Sequence, residues 1–276
     1  MNLLIINMNF RNVILIVSFN YANCLVNIPF YQQYYQPFFK NLVFYCSSHH
    51  ENLNAQYIDF NDSEIKKYNV HYIDYGKGGA TTQKIFVHFY SNYKELINEA
   101  SGLFYTSDDN ILNIHLLKDF NIENIIYPWE NLYNLCHFKN DKWTWWFTPN
   151  GWDAIHSLEK DLEYKKFNIT KYAKQIADFF YLPKKYLTPY LFELFHLFSK
   201  HQVWLEIAIP TIIFNIQPNR LEYSNFKFKW IPIEKQEIPF DEQTLKKYFM
   251  DENYLTLHPV KLYKSPQIKE LLFKIK

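Results

Sequence analysis

The sequence has little glycine and little cysteine, and each shortage excludes a class of site. Only 5 of the 276 residues are glycine, and no GxGxxG or GxxxxGK[ST] phosphate-binding loop occurs. The cysteines Cys24, Cys46 and Cys136 form no CxxC pair. So sparse and odd a set indicates reduced, buried thiols rather than disulfides or metal ligands. The HExxH spacing of a zinc helix and the GxSxG elbow of a serine hydrolase are also absent.

Neither sign of charge dominates, and no apolar run is long. Lys and Arg number 29 against 28 Asp and Glu, a formal net charge of +1, which argues against a partner such as duplex nucleic acid. No run reaches the roughly 18 apolar residues of a transmembrane helix. The apolar start Met1–Ile6 is broken by Asn7, Asn9 and Arg11, the reverse of a signal peptide's order. We therefore expect a cytoplasmic protein.

What the chain has in excess is aromatic residues, at 20% of the total with 25 Phe and 23 Tyr. Most of them recur at helical or strand spacing, which indicates core packing, and AT-rich coding would produce the same bias. The tryptophans Trp143, Trp145, Trp146 and Trp152 do not follow such spacing. They are candidates for stacking against the rings of a bound sugar, although aromatic packing in the core explains them equally well.

Alternating apolar runs predict one α/β domain with an elaborated second half. Val13–Val17 is continuously apolar and β-branched, as in a parallel strand that is covered on both faces. The predicted strands are 13–17, 41–46, 70–75, 102–106 and 177–183, and the predicted helices are 28–39, 81–93, 153–163, 172–174 and 190–201.

An acid pair follows one of these strands. Asp108 and Asp109 come directly after the run Gly102–Thr106, and open α/β sheets bind ligands at the carboxyl ends of their strands. Two neighbouring carboxylates there suit Mg²⁺ or Mn²⁺, which in turn bind nucleotide phosphates. A helix cap or a turn would use the same residue types.

Two later segments add candidate groups. Glu206 lies in the apolar run Val203–Pro210, where burial would raise its pKa toward that of a general base; a structural, hydrogen-bonded acid is the alternative. His258 precedes Pro259, and Lys261 follows three residues after His258. Lys261 adds a positive charge that could contact a phosphate. A buried core histidine and a solvated lysine are the simpler interpretation.

Taken in order, these features resemble the GT-A class of nucleotide-sugar glycosyltransferases. That class has an N-terminal β-α-β nucleotide half, a DxD motif after a strand, a late acidic base and a C-terminal histidine. The resemblance implies a GT-A-like domain over 1–276. It would comprise a Rossmann-like nucleotide-sugar-binding half with a mixed central sheet at about 12–115, and an acceptor-binding half at about 116–276.

The resemblance also implies roles for individual residues. Ser107-Asp108-Asp109 would take the place of DxD, with Asp109 as a direct ligand of Mn²⁺ or Mg²⁺, Asp108 near the ribose or the metal, and His258 completing the metal site. Lys261 would contact the donor diphosphate. Glu206 would be the base of an inverting transfer, although Ile207 replaces the second acid of that pattern. The expected partners are a UDP- or GDP-sugar donor and a glycan acceptor, and the residues expected to line the donor pocket are Ser18, Phe19, Asn20, Tyr21, Ser107, Asp108 and Lys261.

Two other functions remain open. A metal-dependent nucleotidyltransferase also uses carboxylates, although the missing glycine-rich phosphate loop weighs against it. A carbohydrate-binding or interaction protein that has lost its activity would explain Ser107 and Ile207, the two departures from the GT-A pattern.

Overall fold

The computed structural model describes residues 10–20, 22–47, 67–76, 80–128, 133–134, 149–169, 172–231, 241–262 and 267–274. For 22–23, 133–134 and 149–152 only the backbone is described. Across these segments, none of the helices has both the length and the apolar character that a membrane crossing requires.

A five-stranded mixed sheet forms the centre of the fold. Its strands are β1 (Val13–Phe19), β2 (Asn41–Ser47), β3 (Val70–Ile73), β4 (Gly102–Ser107) and β8 (Phe179–Pro183). In the order β3-β2-β1-β4-β8, the first four are parallel and β8 runs antiparallel to β4. The five strands predicted from the apolar runs are therefore confirmed, as is the mixed α/β class.

Two smaller sheets flank the central one. Strand β5 (Ile111–Leu112) pairs antiparallel with β10 (Tyr254–His258), which pairs parallel with β9 (Lys227–Trp230). Strand β6 (Tyr133–Asn134) pairs antiparallel with β7 (Ala173–Lys174). The prediction of a helix at 172–174 was therefore wrong, because this short segment gains its backbone hydrogen bonds from a partner distant in sequence.

The helices cover the sheet on both faces. They are α1 (Ile28–Tyr35), α2 (Gln83–Asn92), α3 (Lys94–Glu99), α4 (Pro149–Lys160), α5 (Leu162–Lys165), α6 (Pro189–Lys200), α7 (Leu205–Ile216), α8 (Glu242–Lys246) and α9 (Gln267–Lys274). Helix α1 ends before Phe39, its predicted limit, because Pro37 has no backbone N–H with which to continue the helical hydrogen bonding.

Alternate residues of β1 point into two separate hydrophobic cores. Val13, Leu15 and Val17 face the core formed with α1, α9 and β10, whereas Ile14 and Ile16 face the core formed with α2, α6 and α7. The whole strand is buried, as its continuous apolar sequence predicts. Aromatic side chains fill much of both cores; the rings of Phe86 and Phe195, for example, pack at an interplanar angle of 30° with centroids 4.6 Å apart. Core packing thus accounts for these rings.

Gly102 is the position in the sheet where a side chain does not fit. A Cβ placed there would lie 2.5 Å from the ring of Tyr181 on the neighbouring strand. The Tyr181 hydroxyl donates to the Ile122 carbonyl at 2.8 Å, and its ring lies 5.2 Å from that of Phe10, so the ring cannot shift without losing these contacts. Glycine at this position is therefore required by the close approach of two strands.

We expect Gly102→Ala to lower the free energy of unfolding by about 1–3 kcal/mol, the usual cost of overpacking a core. Chemical denaturation would measure the change. In a Tyr181→Leu background the added methyl group meets no ring, so the same substitution should cost much less. An equal cost in both backgrounds would contradict this explanation.

Candidate metal centre

The ends of three strands bring Asp109, Asp178 and His258 to one place. Asp109 follows β4, and Asp178 precedes β8, whose antiparallel pairing places it opposite Ser107, so that Ser107 N–H donates to the Asp178 carbonyl at 2.8 Å. His258 ends β10, which pairs with β5 just after the acid pair. Strand pairing therefore assembles the cluster from segments far apart in the sequence.

The side chains of these three residues converge. His258 Nδ1 lies 3.4 Å from Asp109 Oδ1, and His258 Nε2 lies 3.4 Å from Asp178 Oδ2. One ligand atom of each residue can be chosen so that all three lie within 4.8 Å of one another. The imidazole is thus placed between two carboxylates.

Asp109 is held in place by several groups. Lys261 Nζ forms an ion pair with Asp109 Oδ2, and Ser107 Oγ donates to Asp109 Oδ1 at 2.9 Å. The Asp109 carbonyl accepts a hydrogen bond from Val260 N–H at 2.7 Å. The segment after β10 is therefore joined to the acid pair through both backbone and side chains.

The charges in this cluster are strongly coupled. Burial opposes ionisation of Asp109, but His258 and Lys261 outweigh it and hold the pKa of Asp109 well below its usual range. Burial would lower the pKa of His258, but the carboxylates of Asp178 and Asp109 raise it. Burial raises the pKa of Asp178, and His258 opposes that effect. The two carboxylates therefore make this place attractive to a cation.

The residues present suit a divalent metal ion. Two carboxylates and an imidazole are a common ligand set for Mn²⁺ or Zn²⁺. Ligand bonds of about 2.1 Å place ligand atoms about 3 to 4 Å apart, and one ligand atom from each of the three residues lies within 4.8 Å of the others, so a small approach would let them share one ion. In addition, the buried His258 Nδ1 has no well-formed hydrogen bond among the described residues. Such a group can bind a cation without breaking an existing hydrogen bond.

A cavity of about 220 Å³ opens beside the cluster, lined by Asn20, Cys24, Asn27, Asp108, Asp109, Val260, Lys261 and Leu262. Asp108 is buried, and burial followed by the charge of Asp109 raises its pKa. The Cys24 thiol lies within hydrogen-bonding range of the same carboxylate. Cys24 and Cys46 are buried thiols that form no disulfide among the described residues, as expected, while Cys136 lies outside the described residues.

The other residues predicted for the donor pocket occupy different environments. Ser18 and Phe19 are fully buried; Ser18 Oγ bonds the Tyr105 hydroxyl at 2.7 Å, and the Phe19 ring packs on Tyr31. Asn20 lines the cavity, and Tyr21 lies outside the described residues. Asn20 can therefore contact a donor that enters the cavity. Ser18 and Phe19 are buried in the core, where their contacts stabilise the end of β1.

Glu206 lies in the first turn of α7 and is buried, with 7% of its surface exposed. Its Oε2 has no hydrogen-bond partner among the described residues. Burial and, to a lesser degree, the negative charge of Asp178 raise its pKa well above the usual value. Glu206 is thus a buried acid that is influenced by the charge of Asp178 and that no neighbouring cation neutralises in the described part of the chain.

The predicted acceptor residues cannot be placed in the same way. Trp143, Trp145 and Trp146 lie outside the described residues, and of Trp152 only the backbone, within α4, is described. Another tryptophan is close to the cluster: the Trp230 ring lies 5.0 Å from that of His258 and is 42% exposed.

The sequence had given no indication of Asp178, because this residue appeared as part of a predicted strand. An acid at the start of a strand reaches the carboxyl edge of a neighbouring strand only when the two run antiparallel. The sequence offers no sign of that pairing. Compared with protein-family models and with curated proteins, the chain matches none.

Proposed function

We propose that the chain is a metal-dependent glycosyltransferase of the GT-A type, which moves a sugar from a nucleotide-sugar donor to a hydroxyl acceptor. The observation that supports this most is the convergence of Asp109, Asp178 and His258 beside Lys261. They lie at the edge where the parallel strands of an α/β sheet end, which is where such sheets bind nucleotides.

The proposed metal ligands are Asp109, His258 and Asp178, with Asp108 beside them. A bound Mn²⁺ or Mg²⁺ would stabilise the negative charge that develops on a nucleoside diphosphate leaving group. Lys261 adds a second positive charge at the same place. Its ammonium now pairs with Asp109, and the same group can reach a phosphate that enters the adjoining cavity.

The cavity is large enough to hold only part of a nucleotide-sugar donor. Its volume of about 220 Å³ is below the roughly 300–1,000 Å³ of pockets for drug-sized ligands. Its polar lining suits the phosphates, with Asn20 and Asp108 available to hydrogen-bond the ribose or the diphosphate.

Glu206 is the proposed base. The free Oε2 can accept the proton of an acceptor hydroxyl as that oxygen attacks the anomeric carbon. Direct attack from the face opposite the leaving group would invert the configuration of the sugar. The acceptor would then occupy the Asp178 side of the cluster, because the carboxyl groups of Glu206 and Asp178 are close enough to interact electrostatically.

A panel of UDP- and GDP-sugars, read by thermal shift with Mn²⁺, with Mg²⁺ and with chelator, tests this function. We expect one donor to raise the melting temperature in the presence of a cation only, since a ligand that binds the native state stabilises it. Release of a nucleoside diphosphate and a free sugar on prolonged incubation would identify glycosyl transfer to water. Release of pyrophosphate or a nucleoside monophosphate would instead indicate a nucleotidyltransferase, and no cation-dependent shift with any donor would contradict both.

A further inference from the structure

We propose that Ser157, His201 and Asp161 form a nucleophilic serine site that cleaves small carboxylic esters, separate from the metal centre. Ser157 Oγ lies 2.9 Å from His201 Nδ1, and His201 Nε2 lies 2.8 Å from Asp161 Oδ2. This is the relation of nucleophile, base and orienting carboxylate that activates a serine. None of the three residues belongs to the proposed glycosyl-transfer site, so each function can be tested independently of the other.

Three helix ends bring these residues together. Ser157 lies in the last turn of α4, Asp161 caps the amino end of α5, and His201 follows directly after α6. Asp161 Oδ1 accepts the Glu163 N–H at 2.8 Å, while Oδ2 accepts Lys200 Nζ at 2.8 Å as well as His201. The carboxylate is therefore fixed in orientation by backbone and side-chain donors.

The hydrogen bonds determine which nitrogen of His201 carries the proton. Lys200 and His201 hold the pKa of Asp161 well below its usual range, so the carboxylate is ionised at neutral pH and can only accept. Nε2 must then be the donor, which leaves Nδ1 of a neutral imidazole as the acceptor for the Ser157 hydroxyl. His201 has only 12% of its side chain exposed, whereas the Ser157 end of the first hydrogen bond is open to solvent.

A cavity of about 610 Å³ gives a ligand access to Ser157. Its lining includes Ser157, His201, Thr81, Lys84 and Trp204. Thr81 is 7% exposed, and its hydroxyl has no hydrogen-bond partner among the described residues. Thr81 thus adds a polar group without a partner to the wall of the cavity, which has the volume of a small-molecule site.

The reaction balances with water as the only co-reactant. Ser157 Oγ bonds to the ester carbonyl carbon while its proton passes to His201 Nδ1. The carbon–oxygen bond to the alcohol then breaks, and the alcohol leaves with that proton. Water attacks the acyl-serine and passes a proton through His201 to Ser157 Oγ, which releases the carboxylic acid.

An alkyl fluorophosphonate, which reacts covalently with activated serines, tests the site on the full chain in chelator. We expect one adduct per chain, located by peptide mass spectrometry to Ser157. Ser157→Ala should abolish it. Asp161→Asn keeps an oxygen to cap α5 but loses the charge, and should slow labelling by roughly 100-fold or more.

Ser91→Ala provides a matched control, because Ser91 also lies in a helix but donates to the Val87 carbonyl at 3.0 Å and has no histidine partner among the described residues. This variant should be labelled at the rate of the unaltered protein, and p-nitrophenyl acetate should be hydrolysed with the same ranking of variants. No adduct at Ser157, or equal labelling rates for the Asp161→Asn variant and the unaltered protein, would overturn the proposal.

Discussion

Replacing Asp109 with Asn is expected to abolish manganese-dependent binding of a nucleotide sugar and to weaken manganese binding itself by roughly 100-fold or more. The substitution preserves the shape of the side chain but removes the charge that now pairs with Lys261 and faces His258. Because an amide is a poor ligand for a transition metal beside an imidazole, the loss should be seen directly in calorimetric titration with Mn²⁺ alone.

Two further variants make this result specific. Asp178→Asn should also weaken manganese binding, since a carboxylate oxygen of Asp178 lies within 4.8 Å of the ligand atoms that Asp109 and His258 offer. Asp153→Asn removes an exposed carboxylate on α4 and should leave binding unchanged. If Asp178→Asn binds manganese as the unaltered protein does while Asp109→Asn does not, Asp178 is not a ligand. Normal affinity for manganese and for the donor in both variants would contradict the proposed metal centre.

Replacing Glu206 with Gln is expected to reduce sugar transfer by about 100- to 10,000-fold, the usual contribution of a general base, with little change in donor affinity. The amide fills the same space in the first turn of α7 but cannot take a proton from the acceptor. Radiolabelled donor with an acceptor library measures transfer, and titration with the donor alone measures binding.

The control for this variant is Glu193→Gln, which alters an exposed carboxylate on α6 and should keep full activity. Near-normal turnover of Glu206→Gln would show that Glu206 is a structural acid. A combined loss of donor binding and of transfer would instead assign it to the donor pocket. Either result would contradict the proposal that Glu206 is the general base. Neither result would contradict the proposed metal centre.

Local sequence patterns were sufficient for the central sheet and most of the helices. The run Val13–Val17 is apolar at every position, and a strand with two buried faces is the conformation that uses such a run. The apolar stretch from Leu205 predicts neither a strand nor a helix, because almost all of its positions are apolar; it forms the buried helix α7 with Pro210 inside. Periodicity cannot distinguish a buried strand from a buried helix.

For the candidate site, the sequence predicted those residues whose neighbours along the chain already indicate a site. Asp109 follows a strand, and His258 lies in a short apolar segment near Lys261. Asp178 had no such context, and its place depends on the antiparallel pairing of β8 with β4. Ser157 and His201 were missed for the same reason: their contact depends on how α4 and α6 pack, which no spacing along the chain reveals.

The assembly of the metal centre from Asp109, Asp178 and His258 also bears on how the protein folds. Each pairing that completes the centre closes a long loop, and the entropic cost of such a closure rises only slowly with loop length. The residues of the centre meet only once β8 has joined β4 and β10 has joined β5. A nascent chain that has not yet made its segment at 254–261 therefore lacks both the imidazole and the ammonium group. Until that segment docks, the negative charges of Asp108 and Asp109 lack the positive groups that surround them in the folded protein.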